Sequence, residues 1–169
     1  HGEGKTVVTP LISSGKVDVL AFIGTSRVAD LIRAQHPKPH RLRCVLGLEA
    51  KNPAIVLADA DLDLAVSECV LGALSFNGQR CTAIKVVFVH ESVADDFTAR
   101  LAAAVEALKP GMPWHEGVRV TPLPEPGKPA SMAAFVGDAA EKGAVVANGG
   151  GGAPAGSLYF PAVVSVVTP

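Results

Sequence analysis

The chain has 169 residues, 49% hydrophobic and 18% charged, which is enough for one sizeable core and places it with folded rather than disordered proteins. A formal net charge of −1 removes the electrostatic case for nucleic acid or an anionic membrane, and no apolar run approaches the roughly 20 residues that span a bilayer. Three cysteines at irregular spacing give neither a metal signature nor an even disulfide set, so reduced, cytoplasmic surroundings are expected.

The start, His1 to Lys5, lacks the apolar segment of a signal peptide and an initiating methionine, so further residues are expected upstream. A short helix is expected around Thr9 to Ser13. Val17 to Ile23 is nearly continuous in apolar residues and reads as a buried parallel strand. Gly24, Thr25 and Ser26 turn the chain into a helix from Arg27 to Gln35, with Val28, Leu31 and Ile32 at helical spacing. Strand, small-residue turn and helix make half of a β-α-β unit. Its helix N-terminus either binds an anion or carries a simple Ser/Thr cap. Pro37 and Pro39 end that helix.

A strand from Arg41 to Leu48 follows, with Leu42, Cys44 and Leu46 on one face, then a third from Ala54 to Leu57. Asp59, Asp61 and Asp63 suit a helix N-terminus better than a metal loop, because no glycine or closing glutamate follows at the required spacing. Leu62, Val66, Cys69, Val70, Ala73 and Leu74 form a helical stripe in which Cys69 packs. Ile84 to Val89 is a strand, and Ser92 is expected to cap a helix from Val93 to Leu108. Met112 to Pro129 holds five of the thirteen prolines and reads as a long loop, with Trp114 anchoring its surface. Ala130 to Lys142 is a helix closed by Gly143, and Ala144 to Ala147 is a strand. Gly149 to Gly152 is a flexible turn without the Lys-Ser/Thr of a P-loop, and Leu158 to Val167 is a closing strand. Strands alternating with helices point to an α/β fold with a largely parallel sheet.

The stretch between the stripe and its following strand, Phe76 to Thr82, does not read as core. Asn77, Gln79, Arg80 and Thr82 are mostly exposed residue types, and Cys81 stands beside a permanent cation. A thiol in that setting is a candidate nucleophile, since the thiolate is the reactive form and a neighbouring cation favours it.

Four motifs in order resemble the aldehyde dehydrogenase superfamily. Phe22-Ile23-Gly24-Thr25-Ser26 is similar to its F-T-G-S-T cofactor-side turn. Lys51 to Leu57 with Asp59 to Asp63 is similar to K-S-P-x-I-V-x-x-D-A-D-L-D, and Gly78 to Thr82 to the G-Q-x-C-x nucleophile motif. Tyr159 to Val163 and Val167-Thr168-Pro169 resemble the segment before the family's second cofactor contact. The resemblance implies the end of a Rossmann-type cofactor domain over residues 1–46. Residues 47–169 would be the first part of a parallel-sheet catalytic domain. It further implies that Cys81 attacks an aldehyde, that its backbone N–H helps hold the oxyanion, and that hydride passes to NADP or NAD. Gly24, Thr25 and Leu48 would contact the cofactor. Gln79-Arg80-Cys81-Thr82-Ala83 looks most like the non-phosphorylating, NADP-preferring glyceraldehyde-3-phosphate branch, in which Arg80 and Thr82 would meet the substrate, the arginine at its phosphate.

Two departures from the family pattern bear on mechanism. The family's deacylating glutamate aligns with Gly47, leaving Glu49 as the candidate base. A CoA-acylating semialdehyde branch that lacks this glutamate is the alternative. A non-catalytic structural relative, such as a lens crystallin, is the third reading, and retention of Cys81 argues against it. Family segments expected upstream and downstream imply a fragment that is inactive and aggregation-prone alone, cut from a homo-oligomer acting on a small aldehyde.

Overall fold

A computed structural model describes residues 1–167, so Thr168 and Pro169 of the last motif lie outside the described residues. The chain divides into two compact units, His1–Ala50 and a second from Lys51 onward.

The first unit runs α1 (Gly4–Ser13), β1 (Val19–Ile23), α2 (Ser26–Gln35) and β2 (Arg43–Gly47). Helix α1 starts well before Thr9, because the Glu3 carbonyl accepts from both Thr6 and Val7 N–H at 3.0 Å and launches the turn early. It accommodates Pro10 within its length, buries Ile12 and packs on α2. Strand β1 pairs in parallel with β2, Val19 opposite Arg43 and Ile23 opposite Gly47. The strand is parallel as expected but not buried on both faces: Leu20 and Phe22 are half-buried while Ile23 is 84% exposed. Alternation rather than continuous burial is the period-2 consequence of a sheet covered on one side. Buried His36 at the end of α2 ties the unit together, its Nε2 lying 3.0 Å from the Val17 carbonyl and its Nδ1 accepting from Lys38 N–H.

The division falls after Ala50 rather than after residue 46. The β1–β2 ladder runs on to Gly47, whose carbonyl also accepts from Gly24 N–H at 3.0 Å, and the Glu49 side chain reaches back to Ser26.

The second unit contains β3 (Asn52–Val56), α3 (Leu62–Leu74), β4 (Ile84–Val89), α4 (Ala94–Glu106), β5 (Lys109–Pro110), β6 (Val118–Val120) and α5 (Lys128–Glu141). Four short strands close it: β7 (Val145–Val146), β8 (Pro154–Ala155), β9 (Leu158–Tyr159) and β10 (Val164–Ser165). The pairs β3–β4 and β5–β6 are parallel, whereas β7–β10 and β8–β9 are antiparallel. The expected single strand over Leu158 to Val167 is therefore two strands, separated by residues 160–163, and the expected proline-rich loop contains β6.

Val56, Val66, Cys69 and Phe97 form the core between β3, α3 and α4. Asp61 caps α3, its Oδ1 accepting from Asp63 and Leu64 N–H at 3.1 Å each, so the aspartate cluster serves the helix. Among the described residues no cluster suits a metal ion. Helix α4 is not capped by Ser92. Glu91–Val93 forms a 3₁₀ turn, the His90 ring accepts from Ser92 N–H, and the α-helix begins at Ala94. The Gly149–Gly152 turn, expected to be flexible, is tethered by the Glu106 carboxylate accepting from Gly149 N–H and by Gly152 N–H on the Phe160 carbonyl. Buried Asn148 bridges the neighbouring segment through the Pro161 carbonyl and Val163 N–H, both at 2.8 Å. Among the described residues no helix is long and apolar enough to cross a membrane.

Candidate active site

The stretch singled out in the sequence is a rigidly built corner. Helix α3 ends at Leu74, and a 3₁₀ turn over Ser75–Gly78 departs from it through three successive residues in left-handed conformation: Phe76 (φ 55), Asn77 (φ 56) and Gly78 (φ 67). For the first two this conformation costs free energy, most for phenylalanine and less for asparagine. A side chain at Gly78 would meet the Ala73 carbonyl at 2.8 Å, so glycine is required there on two counts.

What holds the corner against that cost is Asn77. Its Nδ2 donates to the Thr121 carbonyl at 3.0 Å and to Thr121 Oγ1 at 2.8 Å, while its Oδ1 accepts from Thr121 N–H at 2.9 Å. The side chain thus locks the corner to the residue after β6. The Asn77–Gln79 segment and Lys85 also face an open cavity of about 640 Å³.

Beyond the corner, Arg80 to Ala83 form a hydrogen-bonded β-turn, with Ala83 N–H donating to the Arg80 carbonyl at 3.1 Å. Cys81 is the second residue of that turn and is exposed; Cys44 is half-buried and Cys69 buried. Two side chains hold the turn's carbonyls. Lys85 Nζ donates to the Arg80 carbonyl at 3.1 Å and to the Ala83 carbonyl at 2.7 Å. Asn52 Nδ2 donates to the Cys81 carbonyl at 2.5 Å and to the Ala83 carbonyl at 3.2 Å. Sequence reasoning missed both residues. The available signals were a lone charge within the apolar Ile84–Val89 strand and an amide at the first position of β3.

Arg80 is folded onto its own loop. Its guanidinium lies 5.3 Å from the centroid of the exposed Phe76 ring, and it donates to Ser75 Oγ at 3.3 Å and to Thr82 Oγ1 at 3.3 and 3.4 Å. Thr82 is thereby placed beside Arg80. Part of the five-donor guanidinium stays open to an incoming anion.

At the turn after β1, Thr25 caps α2, its Oγ1 accepting from Val28 N–H at 3.3 Å. Glu49 is held at the same helix end: its carboxylate accepts from Ser26 N–H at 2.7 Å and from the Ser26 hydroxyl. A carboxylate at a helix N-terminus is favoured by the dipole and by otherwise orphaned N–H groups. Of the two readings of this turn, the structure shows the capped one, and the chain's own carboxylate supplies the anion. Leu48, beside it, is half-buried. Phe22 and Val28, which flank the Gly24–Thr25 turn in sequence, line a cleft of about 520 Å³ together with Val8, Leu31, Ile32 and Gln35. Gln35 Oε1 is buried and has no hydrogen-bond partner among the described residues.

A model of the aldehyde dehydrogenase family matches residues 1–169. Salicylaldehyde dehydrogenase of Pseudomonas putida is 36% identical over 145 residues, covering 85% of this chain and 30% of the relative. NADP-dependent glyceraldehyde-3-phosphate dehydrogenase of Streptococcus equinus is 35% identical over 144 residues, covering 85% and 29%. The crystal structure of NADP-dependent glyceraldehyde-3-phosphate dehydrogenase from Bacillus halodurans, complexed with NADP, superimposes with a TM-score of 0.87 at 37% identity, covering 100% of this chain and 34% of that one. The chain thus spans about a third of the length of its relatives, and relatives named for different aldehydes are equally similar. With a family match along its whole length and the same backbone course as a solved member, the chain belongs to the aldehyde dehydrogenase family.

Proposed function

We propose that this chain carries the nucleophile of an NAD(P)-dependent aldehyde dehydrogenase whose substrate is glyceraldehyde 3-phosphate, with Cys81 attacking the aldehyde carbon. The observation that carries the reading is the build of the corner: an exposed thiol on a turn pinned by Asn52, Asn77 and Lys85, with the Arg80 guanidinium held alongside by Thr82. Cys81 Sγ adds to the carbonyl, the Cys81 N–H receives the developing oxyanion, and Cys81 then carries a thioester. NADP or NAD, when bound, supplies the hydride acceptor. The residues present fit a nucleotide. The cleft beside α2 has apolar walls for a flat ring. A cofactor phosphate approaching Gly24 and Thr25 has to displace Glu49 from Ser26 N–H.

Arg80 supports the phosphorylated substrate, because a planar guanidinium with unused N–H groups suits a phosphate. For release of the acyl group, Glu49 acts as base toward water once it leaves Ser26. Its engagement there favours a second reading, in which CoA rather than water takes the acyl group. Exposed Cys81 suits a reducing, cytoplasmic setting.

The test uses the full-length protein. Cys81→Ala is expected to abolish aldehyde oxidation, and retained activity would end the proposal. Arg80→Ala should raise KM for glyceraldehyde 3-phosphate more than for an unphosphorylated aldehyde; equal rises would remove the phosphate role. Turnover that strictly requires CoA would replace the hydrolytic reading by the second one.

A further inference from the structure

The carbonyls flanking Cys81 are held by the side chains of Lys85 and Asn52. A carbonyl oxygen has two lone pairs, and the Arg80 carbonyl has both engaged, by Ala83 N–H at 3.1 Å and by Lys85 Nζ at 3.1 Å. The peptide unit from Arg80 to Cys81 is planar and trans, so its C=O and N–H point in opposite directions. Fixing the carbonyl toward Lys85 therefore fixes the Cys81 N–H away from Lys85, on the outer side of the turn. The next peptide is held by Asn52 Nδ2 on the Cys81 carbonyl at 2.5 Å. Lys85 and Asn52 converge on the Ala83 carbonyl as well, at 2.7 and 3.2 Å, so the two donors brace one another across the base of the turn.

We propose that Lys85, backed by Asn52, is a positioning residue that aims the Cys81 backbone N–H at the oxyanion formed when the thiol is acylated. The inference rests on the reading of Cys81 as the nucleophile. It assigns Lys85 no contact with substrate. Its ammonium acts through the Arg80 carbonyl, and without it that peptide plane is retained only by the single turn hydrogen bond. An oxyanion donor is effective only when it is set in advance at the right distance and angle. A peptide free to rock loses part of the 10²–10³-fold that one such donor is worth, roughly tenfold or more.

The experiment compares two reactions of the same thiol in the full-length protein. Acylation by 4-nitrophenyl acetate passes through a tetrahedral oxyanion: the Cys81 S–C bond forms, the ester C–O bond breaks, and 4-nitrophenolate leaves. Alkylation by iodoacetamide displaces iodide in one step and forms no oxyanion. Lys85→Met is expected to slow the acylation burst about tenfold or more while alkylation stays within about twofold, and Lys85→Arg, which keeps a cationic donor, should recover most of the burst. A burst unchanged in Lys85→Met overturns the inference, and so does an equal fall in both reactions, which would mark a disturbed loop rather than a misaimed N–H. Should Lys85→Met not fold, Asn52→Ala and Lys85→Gln are measured by the same ratio, and an unchanged burst or an equal fall overturns the inference there too. A burst that persists in Cys81→Ala overturns the nucleophile reading together with this one. A burst lost in Cys81→Ala but intact in Lys85→Met overturns this one alone.

Discussion

Asn77→Ala isolates what keeps the corner before Cys81 in its left-handed course. The substitution removes three hydrogen bonds to Thr121. Asn77 is only half-buried, so water can reach the groups left behind and each bond is counted at the low end, about 0.5 kcal/mol. Alanine at φ 56 adds about 1 kcal/mol, because its Cβ disfavours a conformation that asparagine tolerates. The total is about 2–3 kcal/mol of local stability, or roughly 30–150-fold in the opening equilibrium of the loop. Amide hydrogen exchange reads this directly at Gln79 and Ala83, whose N–H groups donate to the Phe76 and Arg80 carbonyls within the loop. Asn77→Gly loses the same side-chain bonds without the backbone penalty, so its exchange should lie between parent and alanine variant. Rates at Gln79 and Ala83 within about threefold of the parent in Asn77→Ala would refute the argument, since the corner would then be held by something other than Thr121.

Other consequences follow from the core, the thiols and the charges. Phe97 is 2% exposed at the centre of the core, so Phe97→Ala should cost about 3–5 kcal/mol, seen as a lowered urea midpoint; a loss under about 1 kcal/mol would mean the site collapses on itself. Cys69 is buried and its thiol is pushed up by that burial and, less, by Glu68, so mass spectrometry at neutral pH should find iodoacetamide on Cys81 well before Cys69. Labelling of both at one rate would contradict the core assignment. The Asp96 carboxyl is held below its usual range, first by the hydrogen bond from Arg100 and then by that residue's charge. A group whose pKa is depressed by folding contributes stability above its unfolded value, near pH 4, and loses it as pH falls through the folded value. The difference in stability between the parent and Asp96→Asn should therefore shrink below about pH 4 and also in high salt, because the pair is exposed. A difference that persists at about pH 2 would assign the effect elsewhere.

Much of the molecule was legible from local rules. The Phe22–Ser26 turn, the aspartate cap of α3, the β4 strand and the glycine at 78 each follow from residue type and spacing, because caps, turns and period-2 alternation act over a few residues. Cys81 stood out for the same reason, as a thiol among residue types that do not pack. The boundaries that went wrong were those decided by distant partners or by competing local bonds. Helix α1 extends back to Gly4, where the run of glycines and charges gave no apolar start. Ser92 is taken by His90 instead of capping α4, and the last strand is split in two, with Asn148 bridging the segment between.

The sequence by itself determined the family, the nucleophile candidate and the alternation of the longer strands and helices up to α4, since those rest on motifs and periodicities contained in contiguous residues. Only the tertiary structure decided how Cys81 is presented. Asn52 lies 29 residues from the Cys81 carbonyl it holds, Lys85 lies 5 from the Arg80 carbonyl, and Thr121 lies 44 from Asn77. Likewise Glu49 reaches Ser26 across 23 residues and fills the helix end that the sequence offered to an anion. Hydrogen bonds between side chains and distant backbone leave no period in a sequence, because any donor of adequate length can make them once the fold has brought the carbonyl within reach.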